Sequence, residues 1–285
     1  MRDGSYSLGG VAGFAYDLFK VGTGERPDLN LTGIPVIDTI TGGLFPGTLV
    51  IVGAEQGVGK SSLLLSALME APHHVGAIFL EDGPDLVGSR ALAAESGVNS
   101  RDIRFAHKLG KGDNIKLQAA KEALATRENI HLEFLLGGSI EEIEGACKRL
   151  GELGCKVIYL DYLHKVRGVN NDRRNEIGMV MTRYQKACQA IGAVPIILAQ
   201  LSRLNPTEKN PEPRYQEPMV SRLKESGDLE AEARCIVMAW PSDGDKGVHV
   251  RLSKSAFGGE GARDTYTRDG SGTLRTKLVC DEWSI

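Results

Sequence analysis

Residues 54–61 read Ala-Glu-Gln-Gly-Val-Gly-Lys-Ser, and Gly53 stands just before them. Glycines at 57 and 59 let a backbone wrap tightly, so that successive N–H groups point inward at a polyphosphate. A helix opening at Lys60 would add its N-terminal dipole. Lys60 is placed to neutralise the β- and γ-phosphates, and the Ser61 hydroxyl to ligate Mg²⁺. The pattern therefore predicts a nucleoside triphosphate site contacted by Ala54, Glu55, Gln56, Gly57, Val58, Gly59, Lys60, Ser61 and Ser62.

Three more residues end apolar runs and could complete that chemistry. Asp161 follows Val157-Ile-Tyr-Leu160. A carboxylate at the end of a buried strand can hold Mg²⁺ through a water. An isolated Asp there usually caps a turn, but the upstream loop favours the metal. Glu81 ends the run Ala77–Leu80, close to where a γ-phosphate would lie, and could polarise the attacking water as a general base. Its neighbours Asp82 and Asp85 suit the acidic start of a helix better, which leaves Glu81 for the reaction. Gln200 ends Val194–Ala199. Its neutral amide can hydrogen-bond a γ-phosphate and register its loss, or it is an ordinary polar loop residue.

These residues need a scaffold that brings strand ends together, and the hydrophobic pattern supplies one. Thr48–Gly53, Ala77–Leu80, Lys156–Leu160 and Val194–Ala199 are continuous apolar runs, as buried parallel strands should be. Helical patterns cover Lys60–Glu70, Leu86–Ser96, Asn114–Thr126, Ile140–Leu153 and Glu176–Ile191. Alternation of the two predicts a parallel sheet with helices on both faces. Cys235–Ala239, Val248–Ser253, Asp264–Thr267 and Thr273–Lys277 read as short strands between Gly-rich turns, added antiparallel at the sheet edge. Before Leu31 the chain is Gly-rich and polar around Val11–Val21, where Phe14, Leu18 and Val21 share helical spacing. This divides the chain into an arm, residues 1–30, and one domain, residues 31–285. The arm helix either packs on its own domain or docks on a neighbouring subunit.

Composition narrows the field. With 41% hydrophobic and 25% charged residues, the 285-residue chain is neither disordered nor collagen-like. A net charge of −3 gives no global pull toward nucleic acid or anionic membrane, so any polyanion track must be local. The five cysteines are scattered without a CxxC pair, which argues for reduced thiols rather than a disulfide framework or zinc site. No apolar run approaches membrane-spanning length, and MRDGSYSLGG is not a secretory leader, so the expected location is cytoplasmic, a host's cytoplasm if the source is viral.

Several segments together resemble the ATPase domain of DnaB-type replicative helicases, which are hexameric RecA-like motors. Thr32-Gly33-Ile34-Pro35 through Gly43-Leu44 and Pro46-Gly47 look like the family's lead-in to the phosphate loop. Phe79-Leu80-Glu81 looks like its catalytic-glutamate motif, with Arg90 at the position of a usual downstream Arg. Asp161-Tyr162-Leu163, Ala199-Gln200-Leu201-Ser202-Arg203 and Leu223-Lys224-Glu225-Ser226-Gly227 with Glu230 are more specific than the loop, and separate this family from recombinases. The resemblance implies an α/β RecA-like P-loop NTPase, with ATP and Mg²⁺ in the site, Glu81 as base and Gln200 as sensor. It also implies a homo-oligomeric ring, a hexamer in this family, around single-stranded DNA, with a separate primase or loader as a further partner.

The loops after Asp161 and Gln200 would then line the DNA channel. From Lys165 to Glu225 there are eleven Lys/Arg against six Asp/Glu, a local excess in an acidic protein. Lys165, Arg167, Arg173, Arg174, Arg203, Lys209 and Arg214 are the candidate DNA contacts. Two departures from the family stand out. Residues 1–31 are too short for its N-terminal, primase-contacting domain. At Lys254-Ser255-Ala256, where the family has Lys-x-Arg reaching the neighbour's nucleotide, Ala256 replaces the Arg. Arg263, past the turn at Gly258–Gly261, is the predicted substitute beside Lys254, whereas strand alternation would turn Arg251 to the opposite face. Weak or absent turnover, as in an ATP-binding assembly factor, is the alternative that Ala256 raises. A filament-forming recombinase is the other.

Overall fold

The computed structural model describes residues 29–105, 109–166, 173–202, 213–223 and 226–276, with a few positions between 7 and 16. Phe14, Leu18 and Val21, which define the expected arm helix, lie outside the described residues, as do Arg167, Arg203 and Lys209. The helices are α1 (Pro35–Thr41), α2 (Lys60–Glu70), α3 (Pro84–Ser96), α4 (Ser100–Arg104), α5 (Lys111–Ala125), α6 (Ile140–Glu152), α7 (Arg173–Ala190) and α8 (Ser226–Glu232). The strands are β1 (Val50–Ala54), β2 (Val75–Phe79), β3 (Ile130–Phe134), β4 (Val157–Asp161), β5 (Val194–Gln200), β6 (Cys235–Pro241), β7 (Gly247–Ser255), β8 (Arg263–Arg268) and β9 (Leu274–Arg275).

The described strands form one nine-stranded sheet in the order β3-β2-β4-β5-β1-β6-β7-β8-β9. The first six run parallel, and β7 to β9 continue antiparallel. Helices on both faces explain why the central strands carry apolar side chains without alternation. Val50, Val52 and Ala54 join one core with Leu63, Leu64 and Leu68 of α2 and Val36 and Ile37 of α1. Leu49 and Ile51 join the other, against Ile140, Ile143 and Leu150 of α6 and Val180, Met181 and Tyr184 of α7. Helix α6 starts where a capping box fixes it: Glu142 N donates to Ser139 Oγ, and Ser139 N donates to Glu142 Oε2 at 2.8 Å.

Two expectations need correction. The sequence pattern puts Cys235–Ala239 at the antiparallel edge, yet β6 pairs parallel with β1 and is buried along its whole length. The crossover through α8 carries the chain over the sheet and returns it in the same direction, and the unbroken apolar run Cys-Ile-Val-Met-Ala-Trp is what such a strand requires. Strand β3, on the opposite edge, is absent from the sequence expectation. Its sequence Ile-His-Leu-Glu-Phe is short and only partly buried, a weak signal.

Candidate nucleotide site

Parallel pairing sets the site. Register places Ala54 beside Gln200 and Phe79 beside Asp161, so the chain leaves β1, β2, β4 and β5 at one edge of the sheet. Loops at such carboxyl ends are where α/β sheets bind ligands. A cavity of about 310 Å³ opens there, lined by Gln56, Gly57, Gly59, Lys60, Ser61 and Ser62 from the loop and the start of α2. Glu81, Asp161 and Gln200 line it from the other three strand ends. These residues come from four separate stretches of sequence.

The loop conformation depends on glycine. Gly57 has φ 81° and Gly59 φ 121°, values that a Cβ disfavours. Gly59 caps α2, whose first turn carries no acidic residue. The positive end of the helix is therefore left for an anion. The Lys60 ammonium donates to the Ala54 and Glu55 carbonyls, each at 3.2 Å, which holds it over the loop.

Asp161 is buried at the floor of the cavity. Burial pushes its carboxyl up to about 6, and nearby Asp82 adds to that, against the lowering effects of a Ser61 hydrogen bond, Lys60 and Arg90. Two hard oxygens, the Ser61 hydroxyl and the Asp161 carboxylate, thus line the same cavity. Mg²⁺ typically takes one or two protein oxygens and fills its other positions with phosphate oxygens and water. The donor set fits that ion.

Glu81 accepts an ion pair from Lys165 at 3.1 Å, with both side chains partly exposed. That pair, first of the causes, raises the Lys165 pKa. Composition makes Lys165 a candidate DNA contact; in the structure its ammonium pairs with Glu81 at the rim of the cavity. The expectation that Asp82 serves as helix-start acidity also fails. Only Asp85 falls in the first turn of α3, while Asp82 lines the cavity and pairs with Arg90. Arg90, Tyr162 and Arg268 complete the lining. Sequence reasoning misses Arg268 because it sits on β8, far from any motif; sheet topology alone brings it to Gly59.

Three loop residues turn elsewhere. Val58 is buried in the core, Ala54 ends β1, and the Glu55 carboxylate pairs with Arg222. The basic stretch is also less free than its composition suggests. Arg183 binds Glu144 and Glu141 of α6 at 2.6 and 2.7 Å, and Arg222 is buried. Arg214 is exposed, stacked 5.2 Å above the Tyr215 ring, and Arg173 and Arg174 open α7.

Lys254 and Arg263 lie outside this cavity, on the β7–β8 hairpin. Lys254 donates to the Glu230 carbonyl and Arg263 pairs with Glu217. The expected face of Arg251 needs correction. A bulge interrupts the β6–β7 register, so Lys254 pairs with Ile236 and Arg251 with Met238. Both partners face the same core, which puts Arg251 and Lys254 on one face. Arg263 lies directly opposite Arg251, and Glu217 bridges the two guanidinium groups.

Comparison with known proteins adds a family. The model of the DnaB-like helicase C terminal domain matches residues 31–251. The replicative DNA helicase DnaC of Bacillus subtilis is 28% identical over 226 residues, 75% of this chain and 48% of the relative. The replicative DNA helicase DnaB of Geobacillus stearothermophilus is 30% identical over 228 residues, 76% of this chain and 49% of the relative. The chain thus spans about half the length of these curated relatives. Among solved structures, one described as an ATPase domain superposes with a TM-score of 0.80 at 22% identity, covering 95% of this chain and 98% of that one. A DnaB-like replicative helicase solved for its interactions with primase superposes at 0.78, also at 22% identity, over 95% of this chain and 67% of that one. These superpositions establish a shared fold.

Proposed function

The chain belongs to the family of DnaB-like helicase C-terminal domains, and from that premise we propose that it is the ATP-driven motor core of a replicative DNA helicase, working as a ring on single-stranded DNA. The observation that carries this reading is the convergence of Lys60, Ser61, Glu81, Asp161 and Gln200 in one cavity from four strand ends. The relatives are named replicative DNA helicases, and one structural neighbour is a DnaB-like replicative helicase described with its interactions with primase.

In this reading the backbone N–H groups of the loop and Lys60 hold the β- and γ-phosphates of ATP. Ser61 and Asp161 would hold Mg²⁺, which supplies charge neutralisation on the phosphates when bound. Glu81 takes the proton of the attacking water. Its ion pair with Lys165 holds the carboxylate at the rim of the cavity. The Gln200 amide, which lines the cavity, would lose a hydrogen bond when the γ-phosphate leaves. The loops beyond Asp161 and Gln200 carry the basic residues proposed for DNA, with Arg203, Lys209 and Arg214 on the second of them. The hairpin residues Lys254 and Arg263 are proposed to reach the nucleotide of the adjacent subunit, in place of the Arg that Ala256 replaces. Arg251 shares their face and joins them as a candidate. Residues 1–30 are proposed as a linker arm to the rest of the assembly.

The test is the rate of ATP hydrolysis with and without single-stranded DNA, alongside the mass of the assembly. Strong stimulation in a closed ring is the expected result. Binding of ATP without turnover would instead identify an assembly factor, the reading that Ala256 favours. Open filaments would identify a recombinase.

A further inference from the structure

Arg222 ends the short 3-10 turn Val220–Arg222 and is 7% exposed. A guanidinium cannot shed its charge inside a protein, so its burial demands partners. Its Nη2 has two, from distant parts of the chain. It donates to Glu55 Oε1 in the phosphate loop, and to the Ser202 carbonyl at 2.6 Å. Ser202 answers, its N–H donating to the Arg222 carbonyl at 2.9 Å and its hydroxyl at 3.2 Å. Leu201 donates its N–H to the Ala54 carbonyl at 3.0 Å and bridges antiparallel to Leu223. Leu223 packs so tightly on β1 that a Cβ at Gly53 would lie 2.9 Å from it. The loop after β1, the exit of β5 and the turn 220–223 are therefore one cross-linked unit.

A buried ion pair is a weak way to gain stability, since an apolar pair of similar volume commonly does as well or better. Its position explains more than its energy does. Glu55 belongs to the loop that must reshape around phosphates, and Ser202 lies two residues beyond Gln200.

We infer that Arg222 is a positioning residue that couples nucleotide occupancy of the phosphate loop to the exit of β5 at Ser202 and the turn 220–223. The inference deepens the helicase reading and rests on it for the use of the β5 exit. A shift of Glu55 as the loop takes up phosphates is passed by the guanidinium to the Ser202 carbonyl. By linkage, a ligand that shifts the β5 exit changes nucleotide affinity through the same group.

Hydrogen exchange on the whole protein, with and without Mg²⁺ and a non-hydrolysable ATP analogue, tests this without DNA. In the natural protein the analogue should slow exchange at 54–62 and also at 200–226, by roughly tenfold at the protected amides. Arg222→Met keeps much of the side-chain volume. It should retain the response at 54–62 and reduce that at 200–226 to below about twofold. An undiminished response at 200–226 in Arg222→Met overturns the coupling, as does its absence in the natural protein. If Arg222→Met loses cooperative unfolding, Arg222→Lys decides. An ammonium keeps the charge for Glu55 without the fork, so a partial response supports the role and a full one overturns it. Stimulation of ATPase by single-stranded DNA, measured in parallel, reports separately on the helicase reading.

Discussion

The cavity at the strand ends and the hairpin at the far side of β6 both gather charged residues, under different constraints. In the cavity, Asp161 and Gln200 close strands buried on both faces, so their positions follow from backbone register and core packing. On the hairpin, Arg251 and Arg263 are held by one carboxylate, Glu217, and Arg263 is 61% exposed. The first region is set by its own chain. The second is set by a surface ion cluster of the kind that contributes little on its own, and its proposed work needs a second subunit.

That contrast can be broken from the hairpin side, where the largest effect is expected. In the assembled ring, Arg263→Ala should slow hydrolysis by roughly 10³-fold, the lower end for a trans arginine, with ATP binding retained. Single-turnover rates check it. A silent Arg263→Ala beside an Ala256→Arg that accelerates strongly would mean that the hairpin has no substitute finger, and that the natural protein is a slow ATPase.

Within the cavity the sharpest division is between binding and turnover. Glu81→Gln should keep ATP affinity and lower turnover by about 10²-fold or more, as removal of a general base does. Weakened binding with normal turnover per bound ATP would make Glu81 structural and move the role to Asp82, which lines the same cavity.

A smaller effect is expected on DNA. Neutralising Arg203 and Arg214 together should lower affinity for all sequences alike and reduce the slope of log affinity against log salt by roughly 1–2. A fall in thermal stability with the slope intact would place the track elsewhere.

The smallest effect concerns α1, which packs against the hairpin turn and anchors the lead-in to β1. A Cβ on Gly259 of the hairpin turn would clash with Ile40, while Asp38 accepts three 2.8 Å hydrogen bonds from Thr32 and Gly33 in the lead-in to β1. Burial, the largest cause, pushes Asp38 up to about 6 despite those bonds. A raised carboxyl binds its proton more tightly in the folded state. Its contribution to stability is full below the unfolded value near 3.8 and is lost as pH rises through about 6. Between pH 7.5 and 5 the natural protein should gain about 1 kcal/mol relative to Asp38→Asn. Denaturant unfolding of both across that range checks it, and a difference independent of pH would contradict it.

The sequence made the cavity legible because its residues sit in short motifs at the ends of apolar runs, and parallel strands place such ends side by side. Arg268 was illegible for the opposite reason: it reaches Gly59 only through the order of β6, β7 and β8. Composition misled on the basic stretch, since a count of charges cannot distinguish the buried Arg222 or the α6-paired Arg183 from an exposed Arg214. Strand alternation misled on Arg251, because a single bulge reverses the face of everything beyond it. The parallel direction of β6 was readable in principle from its unbroken apolar run, but its neighbours' Gly-rich turns pointed the other way.

On the proposed function, nucleotide binds and is hydrolysed in the cavity at the ends of β1, β2, β4 and β5. Lys60→Ala removes the ammonium that the loop holds over it. Measured by calorimetry with ATP and Mg²⁺ and by hydrolysis rate, this variant should lose at least about 2 kcal/mol of binding, as charged hydrogen bonds to phosphate are lost, or all measurable turnover. A folded Lys60→Ala protein that binds and hydrolyses ATP like the natural one would contradict the account.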